Sequence, residues 1–189
     1  LRVNLIPYTK IDGVPTLKDS HVMDLYDRMV SDGVAASIFQ DGTVNSREEF
    51  LFSVTSGHNI LYLVMADNEP AIACWLNNFQ GKSVQMHWTC FSKFWGRGSV
   101  PIMQYALDKI INTTNDEGEF VWDVLIGLIP VSNPRAIQFA RNCGAWSDVT
   151  IPHALFDSRS SRSVDAALIY FTRELNEKIQ TSKKRRGET

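Results

Sequence analysis

The sequence predicts an α/β chain: a mixed, mostly antiparallel sheet of about six to seven strands with helices on both faces. Three observations carry this expectation. Short apolar runs bounded by turn residues recur along the chain, as in NILYLVMA (residues 59–66) and VWDVLIGLI (residues 121–129). Three of these runs follow one another with only turn chemistry between them, which predicts an antiparallel meander. Two segments, SKFWGRGSVPIM (residues 92–103) and PVSNPRAIQFARNCGAW (residues 130–146), each carry a strand into a helix. The first opens a crossover that can pair its flanking strands in parallel, with right-handed connection.

In order, Leu1, Val3 and Leu5 alternate with polar neighbours and suggest a first strand. Residues 8–18 read as loop, broken by Asp12-Gly13 and Pro15. Ser20 can cap a helix with Val22, Met23, Tyr26, Met29 and Val30 on its apolar face, whereas residues 33–42 show no clear period. Ser46 opens a capping box with Glu49 at the third helical position; Phe50, Leu51 and Val54 follow as a core face, and Gly57 fits the stop. The meander then spans residues 59–66, 71–76 and 83–91, with turns at DNEP and Gly81. A helix over 99–112 presents Met103, Ala106, Leu107, Ile110 and Ile111 on one side. After a polar loop (113–119) and a strand (121–129), Asn133 is a good N-cap, Pro134 fits the first helical position and Gly144 fits the end. Strands near 146–153 and 164–173 complete the chain, separated by DSRSSRS.

The 189 residues suggest one domain over 1–175, followed by a basic, flexible tail over 176–189 that carries Lys183, Lys184, Arg185 and Arg186. A contact of that run with an acidic partner is the alternative to a solvated tail. The formal net charge of −2 gives no global pull toward nucleic acid or anionic membrane. Cys74, Cys90 and Cys143 are odd in number and lack CxxC spacing, which points to free thiols in a reducing, cytoplasmic setting. His87 and Cys90 are three apart on an expected strand, so they point to opposite faces and make a poor metal pair; no metal is expected. No apolar stretch approaches the roughly 20 residues needed to span a bilayer.

The glycine segment invites a chemical reading. Gly96 and Gly98 lie where a strand becomes a helix, and glycine permits positive φ or the close approach of another group. Successive amides in such a turn, with the positive end of the helix at Ser99, can hold an anion such as a pyrophosphate. A plain tight turn explains the same residues. The segment is neither a Walker motif, lacking Gly-Lys-Ser/Thr, nor a dinucleotide fingerprint, because antiparallel strands precede it.

Over residues 46–173 the chain resembles the GNAT superfamily, the Gcn5-related N-acetyltransferases, in element order and in two motifs. The first is the family's pyrophosphate loop, Arg/Gln-Gly-x-Gly-x-Gly/Ala, matched by Trp95, Gly96, Arg97, Gly98, Ser99 and Val100. A second register, starting at Lys93, restores a polar first residue. The second motif is Asn-x-x-Ala-x-x-x-Tyr-x-x-x-Gly-Phe, matched by Asn133, Ala136, Ala140 and Gly144.

The resemblance implies a bulged fourth strand that splays from the fifth in a V, and acetyl-CoA as acyl donor. It assigns cofactor contacts to Trp88, Thr89 and Cys90, to the six loop residues and to Asn133. It further implies direct attack by a primary amine of a small molecule or peptide, with alignment and a backbone N–H doing most of the work. Trp95 and Val100 depart from the motif, and Ala140 stands where the family's tyrosine protonates the leaving thiolate. His87 is the titratable candidate on the fourth strand for the base, or else a hydrogen-bonded wall residue. Three readings stay open: an N-acetyltransferase, a non-catalytic protein of the same fold used for assembly or interaction, and nucleic-acid binding through the basic tail, the weakest of the three. A homodimer is compatible with each.

Overall fold

The computed structural model describes residues 1–96 and 98–187; Arg97, a loop residue singled out above, lies outside the described residues. One sheet holds β1 (Val3–Pro7), β2 (Ile60–Ala66), β3 (Glu69–Gln80), β4 (Ser83–Cys90), β5 (Val124–Pro130), β6 (Trp146–Asp157) and β7 (Arg162–Thr172). Its order is β1-β2-β3-β4-β5-β7-β6, and every neighbouring pair is antiparallel except β4 with β5. The helices are α1 (Asp19–Ser31), α2 (Ala35–Ile38), α3 (Arg47–Thr55), α4 (Ser99–Ile111), α5 (Pro134–Asn142) and α6 (Arg173–Arg185). This is the mixed, mostly antiparallel architecture expected, with seven strands where six to seven were expected.

Local chemistry explains most boundaries. Ser46 Oγ accepts the Glu49 amide at 3.1 Å, and Glu49 Oε2 accepts the Asn45 amide at 2.6 Å, so the capping box closes one residue upstream of Ser46. Asp67 and Asn68 both take positive φ, 49° and 66°, as a tight type I′ hairpin between β2 and β3 requires. Asn133 Oδ1 accepts the Ala136 amide at 3.1 Å and starts α5.

Several boundaries differ from expectation. α1 begins at Asp19 with no side-chain cap, placing Ser20 inside the helix; Leu25 is buried on its core face while Val30 is exposed. The short α2 lies in the unassigned stretch, and the loop before α1 contains a small hairpin, Lys10–Ile11 with Val14–Pro15. β3 runs on into residues that read as a turn, and β6 runs on past its expected end near His153. Register shifts absorb the extra residues, with positive φ at Asn78 (51°) and His153 (54°).

The segment expected to be a flexible tail is mostly helix α6. Leu175 and Ile179 pack on the core, and buried Asn176 donates to Asp108 Oδ1 of α4 at 2.8 Å. Gly144 (φ 97°) makes room for it: a Cβ there would sit 2.2 Å from Ile179 Cδ1. Arg173 anchors the start of α6 on the Trp122 carbonyl and the Asp123 carboxylate.

Two cores sandwich the sheet. α4 and α6 cover one face over Val64, Ile72, Leu76, Met86 and Phe171. α1 and α3 cover the β2–β3 half of the other, over Leu61, Leu63, Ala73, Trp75 and Phe91. All three cysteines are free thiols, Cys74 and Cys143 buried and Cys90 half-buried. Among the described residues, no helix is long and apolar enough to cross a membrane.

Candidate functional site

β4 and β5 pair only at their starts, where Ser83, Val84 and Gln85 lie opposite Val124, Leu125 and Ile126. Beyond Gln85 they part, opening the expected V. The register of β4 against β3 is unbroken from Gln85 to Cys90, so the splay does not come from a bulge in β4; the nearest shift is in β3, between Asn77 and Gln80. The indole of Trp88 sits at the parting instead. A Cβ on Gly127 of β5 would lie 3.3 Å from its Cζ3, so a larger residue there would crowd the ring.

The parted strands expose main chain. Phe91 N–H donates to Ala71 O at 3.0 Å. Alternation in an antiparallel ladder then turns the N–H and C=O groups of Phe91, Thr89 and His87 toward β3, and those of Met86, Trp88 and Cys90 toward the gap. Thr89 therefore reaches the cleft as a wall residue, with its main chain committed to Ala73.

The gap holds a cleft of about 810 Å³ lined from both faces of the sheet. On the α4 face stand Trp88, Cys90, Trp95, Gly96, Ser99, Val100 and the α5 residues Arg135, Gln138, Phe139 and Asn142, with Asn133 at the α5 cap. On the other face stand His87, Leu128, Pro130 and the Val34, Ser37 and Ile38 side chains around α2. Every expected site residue among those described, Gly98 apart, thus lines one cleft. Gly98 adjoins it as the N-cap of α4.

The two glycines do different work. Gly96 takes φ 99°, a conformation that strains other residues, whereas Gly98 sits in ordinary helical space (φ −68°, ψ −26°). A Cβ at either glycine would meet no atom within 4 Å, so backbone conformation separates the two: Gly98 has open space and a helical backbone that any residue adopts. Among the described residues, no side chain caps α4. Ser99 turns its amide and its hydroxyl back to the Gly96 carbonyl, at 3.3 and 2.6 Å, and Pro101 has no N–H. Trp95 is 55% exposed, and its indole N–H donates to the Cys90 carbonyl at 2.7 Å, covering one of the main-chain groups that β4 turns to the gap.

His87 stacks on Trp75 at 5.5 Å between centroids and 7° between planes, and its Nε2 lies 3.1 Å from Asn77 Oδ1. Burial pulls its pKa down to about 4, against a smaller upward pull from the Asp41 charge, so the ring is neutral at ordinary pH. Burial pushes the Cys90 thiol up to about 11, which keeps it protonated. Ala140 is buried on α5, Tyr170 lies opposite Ile126 outside the cleft wall, and Asp123 is paired with Arg173.

The wall residues around α2, and Arg135, Gln138, Phe139 and Asn142 of α5, were not singled out from the sequence. Arg135, Gln138, Phe139 and Asn142 recur at helical spacing on one side of α5, and that period was the available signal. The four-residue α2 offers no period to read.

No protein-family model matches the sequence, and no curated protein matches it either. Solved structures do. The spermidine N-acetyltransferase from Vibrio cholerae, solved with CoA and spermine, superposes with a TM-score of 0.67 at 14% identity, covering 92% of this chain and 97% of that one. An acetyltransferase from Salmonella typhimurium that modifies the N-terminal serine of 50S ribosomal subunit protein L7/L12 gives 0.68 at 17% identity, covering 90% and 94%. The microcin C7 self-immunity acetyltransferase MccE, solved with acetyl-CoA and AMP, gives 0.63 at 16%, covering 82% and 88%. Identities this low speak to architecture alone, and the architecture superposes over most of each chain: this chain has the GNAT fold.

Proposed function

We propose that the chain is an acetyl-CoA-dependent N-acyltransferase that moves an acetyl group to a primary amine. The observation that carries the reading is the cleft between β4 and β5, open from both faces of the sheet and edged by unpaired main chain. Two reactants can enter from opposite faces and meet in the gap, which is the alignment a direct transfer needs.

The residues on the α4 face fit acetyl-CoA. An uncapped helix start with open space at Gly98 suits a diphosphate, with the Gly98 and Val100 amides as donors and Arg135 adding positive charge to the wall. The gap-facing main chain of Trp88 and Cys90 suits the amides of a pantetheine arm, paired like an added strand. Asn133 shapes the wall from the α5 cap. When bound, the group supplies an activated acetyl thioester.

On the opposite face, the dry wall favours an amine that arrives without its charge. His87 is neutral, and with Nε2–H donating to Asn77 Oδ1 its Nδ1 lone pair can accept a hydrogen bond from the attacking amine and orient it; a ring held near pKa 4 is too weak a base to keep the proton, which in this reading passes to solvent. Ala140 offers no proton to the leaving thiolate, so in this reading that proton comes from solvent.

A second reading, a non-catalytic protein on the same fold, is favoured by Ala140 and by the Trp95 indole lying across the β4 edge. Calorimetric titration with acetyl-CoA separates the two. Binding in the micromolar range that is lost in Gly98→Trp supports the transferase, and no binding at millimolar ligand overturns it.

A further inference from the structure

The wall on the His87 face bears on which amine is accepted. Val34, Ser37, Ile38, His87, Leu128 and Pro130 build it. Among the described residues, no Asp or Glu lines the cleft, and its titratable or charged side chains are Arg135, the neutral His87 and the protonated Cys90. Two carboxylates lie close enough to be felt, Asp41 by His87 and Asp32 by Cys90. Neither lines the cleft, and each keeps its charge while one oxygen is oriented by a near neighbour. Asp32 Oδ2 accepts the Ser92 amide at 2.8 Å, and Asp41 Oδ1 accepts the Thr43 amide and hydroxyl at 3.1 and 2.8 Å.

An ammonium brought against this wall loses water and finds no carboxylate in the lining, only the more distant charges of Asp41 and Asp32, and each further charge of a polycation that enters the wall repeats that loss. An apolar stem gains, because it takes Val34, Ile38 and Leu128 out of water. The same sheet face continues the apolar surface outward. Leu168 pairs with Leu128, and Val149, 48% exposed, pairs with Leu168; Trp146, 51% exposed, pairs with Tyr170 beside them.

We propose that the acceptor is a primary monoamine on an apolar alkyl or arylalkyl stem, selected against polyamines by Val34, Ile38 and Leu128. This rests on the acyltransferase reading. It is tested by following free thiol released from acetyl-CoA with 2-phenylethylamine, hexylamine, putrescine and spermidine, while acetyl-CoA binding is measured separately by calorimetry. The expected result is a kcat/KM for the better apolar monoamine about tenfold or more above that for spermidine. Ser37→Asp, which adds a carboxylate at an exposed wall position, is expected to shrink that ratio by raising turnover of putrescine and spermidine. Equal or better use of spermidine by the unaltered protein overturns the proposal. So does an unchanged ratio in Ser37→Asp, or no turnover of either apolar monoamine by protein that binds acetyl-CoA. Failure to bind acetyl-CoA overturns the transferase reading itself, and this proposal with it.

Discussion

The two sides of the cleft are built on opposite principles. On the α4 side, polar main chain is left open: an uncapped helix, a glycine with nothing above it, and the gap-facing edge of β4. On the His87 side, His87 is bonded to Asn77, Asp41 to Thr43 and Asp32 to Ser92, and apart from the hydroxyls of Ser37 and Thr89 the lining is mostly aliphatic. Phe39, Trp75 and His87 form a continuous stack behind that wall. An open polar surface is suited to a polar, anionic ligand; a mostly apolar one is suited to a ligand that brings little charge.

The largest effect is expected from closing the open side. At Gly98 the backbone is already helical and a Cβ meets nothing within 4 Å, so Gly98→Trp should fold normally and fill the space above the α4 amides. Acetyl-CoA affinity is expected to fall by about 100-fold or more, on the order of 3 kcal/mol, with the thermal midpoint within a few degrees of the parent. A variant that binds normally would show that the open amides are not the site, and the contrast between the two sides would lose its meaning.

The dryness of the other side can be read by pH. An unfolded imidazole titrates near 6.5 and His87 near 4, so the folded state holds the proton more weakly. The stability this contributes is fully present above pH 6.5 and is lost as the pH falls through 4, about 3 kcal/mol across the window. Urea midpoints of the parent should therefore decline between pH 6.5 and pH 5, before most carboxylates titrate, and the decline should be shallower in His87→Phe. Equal slopes in the two proteins would mean that the ring is wet and that the wall does accommodate charge.

How much of this was legible depends on whether the signal was local. The Ser46 and Asn133 caps, the glycine junction and the α4 core face all rest on residues a few positions apart, and each was readable. The continuations of β3 and β6 were not, because a bulge at Asn78 or His153 uses the same positive-φ chemistry as a turn. α6 was masked by its composition: three residues, Leu175, Asn176 and Ile179, tie a strongly basic helix to the core. In the site, the glycines were visible but their separate roles were not. The stacking of His87 on Trp75 depends on a cross-strand register that no single strand contains.

Asn133 provides an internal control for the open side. Its junction, like that of α4, carries a strand into a helix, but it is closed by its own side chain and by Pro134 at the first helical position. Asn133→Ala is expected to lower stability by about 1 kcal/mol, while acetyl-CoA affinity drops less than tenfold. If affinity falls as far as in Gly98→Trp, the two junctions serve the ligand alike, and only the β4 edge separates the open side from the closed one.

The finest test concerns the one place where the open side is covered. The Trp95 indole N–H occupies the Cys90 carbonyl, and a ligand pairing with that carbonyl must first displace it. Giving up such a bond costs about 0.5–1.5 kcal/mol net, partly recovered because an exposed indole regains water. Trp95→Phe keeps an aromatic ring and removes the donor, so calorimetry should show acetyl-CoA binding tightened by about two- to tenfold. Weaker binding would reverse the sign of the argument. The indole would then be a wall of the site and not its competitor, and the departure from the family's loop motif at Trp95 would be a substitution that contributes contact rather than one that obstructs.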